Sequence, residues 1–313
     1  MTDLSIASAS VVCEAAVLWA REAGLVPDVA QELRLRAMRL EVLACGALPQ
    51  ADRADVVLTA QWAAFICWVD DRIDREGLES NPGELEHFLS SLRQGLAPGT
   101  APSGTLAPHA AVVRGLWERT AAGTGARWQE RLRIDYLDFL DATEQEVSLR
   151  RAGTRLRLLH YLRLRRRTIT LLPMLDIVER AGRTFLVEAP SVDEPLRQLR
   201  WAVADIAGWA NDLASETDES ARDQESLVAV VAREYGCSTV RARERVGNMI
   251  EQRRAGFRTI AAAVRTTPDL QQDQLADLHR YVDLVERFLA ATLHWLQCTG
   301  RFASGPAPPP APL

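Results

Sequence analysis

Three carboxylates, Asp70, Asp71 and Asp74, lie within five residues at the end of a strongly apolar run. On a helix these positions fall at about 0°, 100° and 40° around the axis, so all three can project from one side. Like charges this close repel each other, and a hard cation such as Mg²⁺ would relieve the repulsion through oxygen ligands. The alternative is a solvated helix end with the aspartates exposed beside Arg72 and Arg75.

A second polar group consists of Asn211, Ser215 and Glu219, which are spaced four residues apart. On a helix this spacing places them along one stripe, each about 40° from the last. An amide oxygen, a hydroxyl and a carboxylate form an oxygen-only set that suits Mg²⁺ and disfavours zinc, which prefers His or Cys. A polar helix end that runs into a loop is the alternative interpretation.

The elements that carry both groups are predicted to be helices, because apolar residues recur at three- and four-residue spacing along most of the chain. About ten helices joined by short polar turns predict a single all-α domain over residues 1–303. The proline-rich residues 304–313 are expected to be a disordered tail. The predicted helical segments are 11–22, 31–45, 55–69, 128–149, 156–180, 196–213, 227–235, 240–264 and 270–297.

The composition narrows the chemistry, because all 37 basic residues are arginine and lysine is absent. A lysine Schiff base and a Walker A loop are therefore excluded, and phosphate would be bound by arginine, a metal or helix N-termini. The net charge of -5 argues against a nucleic-acid partner. No apolar run is long enough for a membrane span, and the N-terminus does not resemble a signal peptide. Five cysteines without a CxxC pair favour a reducing, cytoplasmic location.

Taken together, the two polar groups resemble the aspartate-rich motif and the NSE triad of class I terpene cyclases of the bacterial single-domain type. The resemblance covers residues 10–302 and implies a class I terpenoid synthase (isoprenoid synthase) helical barrel around a central apolar cavity. It also implies three Mg²⁺ ions, which Mn²⁺ can replace, and the diphosphate of a linear isoprenoid. The implied metal ligands are Asp70, Asp71, Asp74, Asn211, Ser215 and Glu219.

An arginine-rich segment between the two groups resembles the part of that family that senses the diphosphate. The resemblance assigns the sensor to Arg165, with Arg166 as the alternative, and a basic helix face is the competing interpretation. A guanidinium fork can bond two phosphate oxygens. The linker and effector positions correspond to Thr168 and Ile169, where the family usually has aspartate and glycine. The effector acts through its backbone carbonyl, so Ile169 can still serve.

The C-terminal segment resembles the family's final arginine–tyrosine pair, here Arg301 and Phe302. Arg301 would bind the diphosphate, and Phe302 lacks the usual hydroxyl. Asp218 is a further departure, because a basic residue commonly precedes the NSE glutamate. The resemblance makes Phe65 and Trp295 the candidates for the apolar cavity wall, and simple core packing is the alternative for each.

The implied function is Mg²⁺-dependent ionisation of a linear isoprenoid diphosphate, followed by cyclisation of the carbocation and release of diphosphate. Asp70, Arg165 and Arg301 are the implied catalytic residues. Farnesyl diphosphate is the expected substrate, with geranylgeranyl diphosphate close behind. The resemblance is compatible with a homodimer, but no stripe in the sequence marks an interface. A chain-elongating prenyl diphosphate synthase is the alternative with the same fold, but it would require a second aspartate-rich motif and typically lysines. A non-catalytic helical scaffold is the alternative of another class.

Overall fold

The computed structural model describes residues 6–96, 108–187, 189–221, 224–268 and 270–302, and among these it describes the side chains of all but 6–8 and 217–221. The predicted tail lies outside them. Regular structure in these ranges is helical, with no strand, which confirms the all-α prediction. None of these helices is long and apolar enough to cross a membrane. The helices are α1 (Ile6–Glu22), α2 (Val29–Ala37), α3 (Leu40–Ala47), α4 (Arg53–Asp74), a 3-10 turn (Leu78–Ser80), α5 (Pro82–Gly95), α6 (Pro108–Ala121), α7 (Ala126–Arg151), α8 (Leu158–Thr168), α9 (Leu171–Ala181), α10 (Pro190–Ala221), α11 (Leu227–Tyr235), α12 (Thr239–Arg265) and α13 (Gln272–Cys298).

Short polar side chains fix several helix starts. The side chain of Asn81 accepts a hydrogen bond from the backbone N–H of Glu84, and Pro82 occupies the first turn of α5. Ser226 and Ser238 cap α11 and α12 in the same way. Such caps satisfy N–H groups that have no partner within the helix. The chain therefore specifies where these helices begin through local sequence.

Two of the predicted helical segments are interrupted in the structure. The segment 31–45 divides into α2 and α3, because Arg39 adopts the left-handed conformation at φ 55°. The segment 156–180 divides into α8 and α9 at Thr170, whose φ is 64°. Helices α5 and α6 were not among the predicted segments, although Leu85 and Leu89 carry the spacing of a buried helix face.

The long helices pack around one interior. Helix α13 packs against α3 and α10, α10 packs against α12, and α4 packs against α1, α3 and α9. Large side chains fill the spaces between them, including Trp62, Tyr136, Tyr281 and Phe288. This packing holds α4, α7, α8, α9, α10 and α13 around a cavity, and it therefore positions the residues that line it.

Arginine and carboxyl side chains are hydrogen-bonded to one another between α7, α9 and α10. Arg200 on α10 donates to Glu179 at 2.6 Å and to both Asp135 and Asp176 at 2.8 Å. Arg131 on α7 donates to Asp176 at 2.8 Å and also pairs with Glu179. We call these five residues the buried arginine cluster. Buried charges are tolerated only when they are paired and hydrogen-bonded, so the cluster joins α7, α9 and α10 firmly.

Candidate active site

One cavity lies between α3, α4, α7, α8, α9, α10 and α13 and encloses about 1370 Å³ of empty space, its solvent-open part included. Along α4 the lining changes from Ile66 to Asp70, and along α10 it changes from Ala207 to Asn211. Each helix thus contributes apolar residues first and polar residues nearer its C-terminus. We call the charged part the polar end of the cavity, comprising Asp70, Asp74, Glu146, Arg150, Arg165, Asn211, Ser215 and Arg301.

Two of the three predicted aspartates on α4 line the polar end. Asp70 accepts a hydrogen bond from Arg301 at 2.5 Å, and its side chain is 58% exposed. Asp74 accepts one from Arg150 at 2.9 Å. The two are four residues apart and therefore share a helix face. Their carboxylates are held by arginines rather than directed at each other, which relieves the repulsion expected from the sequence.

Asp71 does not line the cavity, in contrast to the expectation that all three aspartates share one side. Its carboxylate lies 3.3 Å from Arg34, 3.1 Å from Arg75 and 3.0 Å from Arg301. One residue along a helix turns a side chain by about 100°, which is enough to direct Asp71 towards α2 instead. The structure therefore places it as an ion-pair partner beside the cavity.

Helix α10 carries the second polar group. The side-chain oxygen of Asn211 accepts a hydrogen bond from Arg165 at 2.7 Å. The hydroxyl of Ser215 donates to the backbone carbonyl of Asn211 at 2.8 Å. Both residues line the polar end. Glu219 follows one turn later in α10, and its side chain lies outside the described residues, as does that of Asp218.

The consecutive arginines of α8 point in different directions. Arg165 lines the cavity, whereas Arg166 forms a two-pronged ion pair with Asp205 at 2.7 and 2.9 Å. Arg167 pairs with Asp138 on α7 at 2.7 Å. Each step of about 100° along the helix separates neighbours in this way. The structure therefore brings Arg165 to the predicted metal ligands and places Arg166 on another face, which favours Arg165 over Arg166 as the sensor.

The break between α8 and α9 also faces the cavity, which Thr168, Ile169 and Thr170 all line. Pro173 follows in the first turn of α9. A proline has no N–H, so Pro173 cannot donate to the carbonyl of Ile169 as a continuous helix would require. The proline thereby explains why one predicted helix becomes two, and it removes the usual helical partner of the Ile169 carbonyl.

The C-terminal residues are hydrogen-bonded to the break between α2 and α3 and lie next to the C-terminal part of α4. Trp295 donates from its ring N–H to the carbonyl of Met38 at 2.6 Å, and the N–H of Gly300 donates to Ala37 at 2.8 Å. These bonds use carbonyls at the break between α2 and α3. They place Arg301 against Asp70, and they place Trp295, Arg301 and Phe302 in the cavity lining.

The aromatic residues predicted for the cavity wall have different positions. Trp295 lines the cavity together with Phe139 and Met174. Phe65 is fully buried, stacks on Trp68 at 5.9 Å and does not line the cavity. The position of Phe65 on α4 directs its ring into the core between helices, which matches the core-packing alternative for this residue.

Sequence reasoning missed several residues of the polar end. Glu146 and Arg150 on α7 line it together with Phe139 and Thr143, at spacings of three and four residues. Burial raises the pKa of Glu146 to about 7, against the lowering effect of Arg150. The repeated spacing was visible in the sequence. It could not be distinguished from that of an ordinary amphipathic helix.

The oxygens at the polar end fit a hard divalent cation. Asp70, Asn211 and Ser215 present carboxylate, amide and hydroxyl oxygens to one cavity, which is the donor chemistry that Mg²⁺ prefers. Among the side chains that the structure describes, no three His, Cys, Asp or Glu residues form a metal-holding group. The aspartates are instead bonded to arginines, so a cation would replace those contacts.

Comparisons with known proteins agree with the fold and identify the family. The sequence profile of terpene synthase family 2, C-terminal metal binding, matches residues 61–255. The chain therefore belongs to this family, and it is a bacterial class I terpene synthase. The matched region spans α4 to α12 and so includes Asp70, Arg165 and Asn211.

Individual relatives cover almost the whole chain. Pristinol synthase of Streptomyces pristinaespiralis is 28% identical over 91% of this chain and 78% of its own length. The (-)-beta-caryophyllene synthase of Saccharothrix espanaensis, described as (2E,6E)-farnesyl diphosphate cyclizing, is 28% identical over 96% of this chain and 86% of its own. The crystal structure of a-eudesmol synthase superposes with a TM-score of 0.83 at 23% identity, covering 93% of this chain and 95% of that one. The similarity to terpene synthases therefore extends beyond residues 61–255, towards both ends of the helical domain.

Proposed function

We propose that the cavity binds farnesyl diphosphate, ionises it with the help of Mg²⁺ and cyclises the resulting carbocation, releasing diphosphate. The observation that carries the proposal is the convergence of Asp70, Asn211, Ser215, Arg165 and Arg301 in a cavity whose lining also includes apolar residues such as Leu43, Phe139 and Trp295. This arrangement offers a charged anchor for a diphosphate beside an apolar space for a prenyl chain.

The proposed metal ligands are Asp70, Asn211, Ser215 and Glu219, with Asp74 beside them. Three Mg²⁺ ions are expected, and Mn²⁺ can substitute. When bound, Mg²⁺ neutralises negative charge that develops on the departing diphosphate. The support for this assignment is the oxygen-only donor set in the cavity lining and the metal-binding character of the family.

The chain's own residues supply the remaining functions. Arg165 and Arg301 offer planar donors to phosphate oxygens, which stabilises charge as the carbon–oxygen bond breaks and its electron pair leaves with the diphosphate. The allylic cation that remains must be kept from water, and the apolar lining serves this purpose. The π faces of Phe139 and Trp295 can stabilise positive charge. Ile169 lies in the same cavity lining, and its backbone carbonyl is the proposed effector.

The preference for a fifteen-carbon substrate is supported by relatives. The synthase of Saccharothrix espanaensis and the 7-epi-alpha-eudesmol synthase of Streptomyces viridochromogenes are both described as (2E,6E)-farnesyl diphosphate cyclizing. The second is 26% identical over 91% of this chain and 85% of its own length. Geranylgeranyl diphosphate is the next candidate.

The test is to incubate the purified protein with geranyl, farnesyl and geranylgeranyl diphosphate, with Mg²⁺ or with EDTA. We expect a cyclic hydrocarbon or alcohol from farnesyl diphosphate in equal amount to released diphosphate, and no product with EDTA. Turnover that EDTA leaves unchanged would contradict the metal assignment. A longer product that retains its diphosphate would instead identify an elongating synthase.

Assembly and domain extent are also part of the proposal. We propose that the chain forms a homodimer and that residues 1–303 fold as one catalytic domain without the tail. Sedimentation equilibrium tests the dimer, and a monomer at micromolar concentration would contradict it. A chain that ends at residue 303 should retain the turnover of the full chain.

A further inference from the structure

Asp212 follows the proposed metal ligand Asn211 and is almost completely buried, with its side chain 1% exposed. Its carboxylate accepts hydrogen bonds from Nε of Arg165 at 2.7 Å, from the hydroxyl of Tyr161 at 2.8 Å and from the N–H of Leu227 at 3.2 Å. A buried carboxylate with three donors is well satisfied, so its position is fixed. The donors come from α8 and from the first residue of α11, and Asp212 therefore joins both to α10.

We propose that Asp212 is a positioning residue that orients Arg165 towards the departing diphosphate; this inference rests on the function proposed above. Asp212 holds the Nε edge of the guanidinium, and Asn211 accepts from Nη2 at 2.7 Å. Because the guanidinium is planar, two fixed nitrogens fix the plane of the whole group. Arg165 is thereby oriented within the cavity before any diphosphate binds.

The position that the family resemblance assigns to a linker does not perform this role in the described structure. The hydroxyl of Thr168 is buried and has no hydrogen-bond partner among the described residues. It therefore places no polar restraint on Arg165. The restraint comes from Asp212, on the helix that also carries Asn211, so the sensor arginine and the metal ligand are held by consecutive residues.

A second buried aspartate on α10 provides a matched control. Asp205 is 2% exposed and accepts from Nε of Arg166 at 2.7 Å and from Nε of Arg253 at 2.9 Å. It resembles Asp212 in residue type, burial and pairing to an α8 arginine. It does not line the cavity. Replacing Asp205 thus reports the structural cost of losing a buried carboxylate without changing Arg165.

The experiment compares Asp212→Asn with Asp205→Asn in the full chain. Asparagine keeps the shape of aspartate but loses the charge and directs an N–H₂ group at a donor. For Asp212→Asn we expect kcat for diphosphate release to fall about 100-fold, with KM changing less than about 3-fold. For Asp205→Asn we expect kcat within about 3-fold of the wild type. Equal losses of kcat in the two variants would overturn the inference.

A double-mutant cycle with Arg165→Gln separates positioning from general structural support. If Asp212 acts through Arg165, then Asp212→Asn should reduce kcat by less than about 3-fold in the Arg165→Gln background. A further 100-fold loss there would overturn the inference. Tyr161→Phe removes a different donor to Asp212 and leaves the contact with Arg165. This variant should keep kcat within about 3-fold of the wild-type value. A 100-fold loss would show that turnover depends on all the hydrogen bonds to Asp212 and not on the orientation of Arg165 alone.

Calorimetric titration of inorganic pyrophosphate in the presence of Mg²⁺ tests the inference without turnover. We expect Asp212→Asn to weaken pyrophosphate binding about 10-fold and Asp205→Asn to leave it unchanged. Unchanged binding in Asp212→Asn would overturn the positioning role. If the wild type converts no isoprenoid diphosphate but this difference in binding is found, then the proposed function fails while the positioning role stands.

Discussion

Arginine–carboxylate pairs occur in two regions of the molecule, the polar end of the cavity and the buried arginine cluster. In the cluster, Asp176 and Glu179 are fully buried and the side chain of Arg200 is 7% exposed. At the polar end, Asp70 is largely exposed although its partner Arg301 is buried. The same chemical pair is therefore sealed in one region and open to the cavity in the other.

This difference in exposure determines whether the ion pairs of a region can exchange partners. Breaking a pair in the cluster leaves an uncompensated charge in the interior, so these contacts resist exchange and hold α7, α9 and α10 together. At the polar end, a cation can replace an arginine on a carboxylate, and a diphosphate can replace a carboxylate on an arginine. We therefore expect substitutions at the polar end to change turnover and substitutions in the cluster to change stability.

The largest effect is expected from Asp70→Ala and Asn211→Ala, which remove proposed metal ligands. Turnover of farnesyl diphosphate should fall by about 10³-fold or more, because charge on the leaving group is then poorly stabilised. Thermal unfolding should stay within a few degrees of the wild type. Product formation by gas chromatography checks the first statement. Full activity in both variants would remove these residues from the site.

Glu179→Gln, in the buried arginine cluster, is expected to lose stability and keep turnover. The change leaves Arg200 and Arg131 short of a buried partner and should lower the free energy of unfolding by about 3–5 kcal/mol. At a temperature where the variant is folded, its kcat should remain within about 3-fold of the wild-type value. Urea denaturation and steady-state kinetics provide the two readings. A variant with wild-type stability but little turnover would reverse the roles of the two regions.

The neighbouring arginines Arg165 and Arg166 on α8 should differ in their effect on kcat, by less than the metal ligands do. Arg165→Lys should lower kcat about 100-fold, because a point charge cannot reproduce the two-pronged contact. Arg166→Lys should keep kcat within about 3-fold, since Arg166 pairs with Asp205 outside the cavity lining. If the two results are exchanged, the sensor is Arg166.

The smallest effect is a pH dependence of stability that originates in the cluster. Burial raises the pKa of Asp135 to about 7, against the lowering effect of Arg200 and with support from Asp176. The unfolded value is about 3.9. Between these values the folded state holds a proton that the unfolded state has lost, so the free energy of unfolding falls as the pH rises through this window.

We expect the wild type to lose on the order of 2 kcal/mol more stability than Asp135→Asn between pH 4.5 and pH 8. Urea denaturation at four pH values measures this difference. Parallel pH profiles for the two proteins would show that Asp135 does not titrate in this range.

Much of the fold could be predicted from the sequence, because long periodic segments such as α7, α12 and α13 combine strong patterns with clear ends. The two breaks were not predicted. Arg39 and Thr170 adopt left-handed conformations that no glycine signals, although Pro173 in the sequence accounts for the break at Thr170. Helix α5 was not predicted, although Asn81 caps its start and Pro82 occupies its first turn.

For the site, sequence spacing predicted which residues of a helix lie near one another, but it did not predict which face of the helix points to the cavity. Asp70, Asn211 and Ser215 were predicted together, and the structure places all three in one cavity lining. Asp71 and Phe65 face elsewhere, because motif spacing does not fix how far each helix is rotated about its axis. The contacts that α7 and α8 make with these helices, such as Arg150 with Asp74 and Arg165 with Asp212, were not predictable, since packing alone brings them together.

The most direct test of the account is a crystal structure of the protein with Mg²⁺ and inorganic pyrophosphate. We predict three metal ions between Asp70 and the stripe formed by Asn211 and Ser215, with Arg301 turned from Asp70 onto the pyrophosphate, Arg165 contacting the pyrophosphate while still held by Asp212, and the buried arginine cluster unchanged. Metal ions bound elsewhere, with Arg301 still on Asp70 and Arg165 without contact to the pyrophosphate, would contradict the central claim.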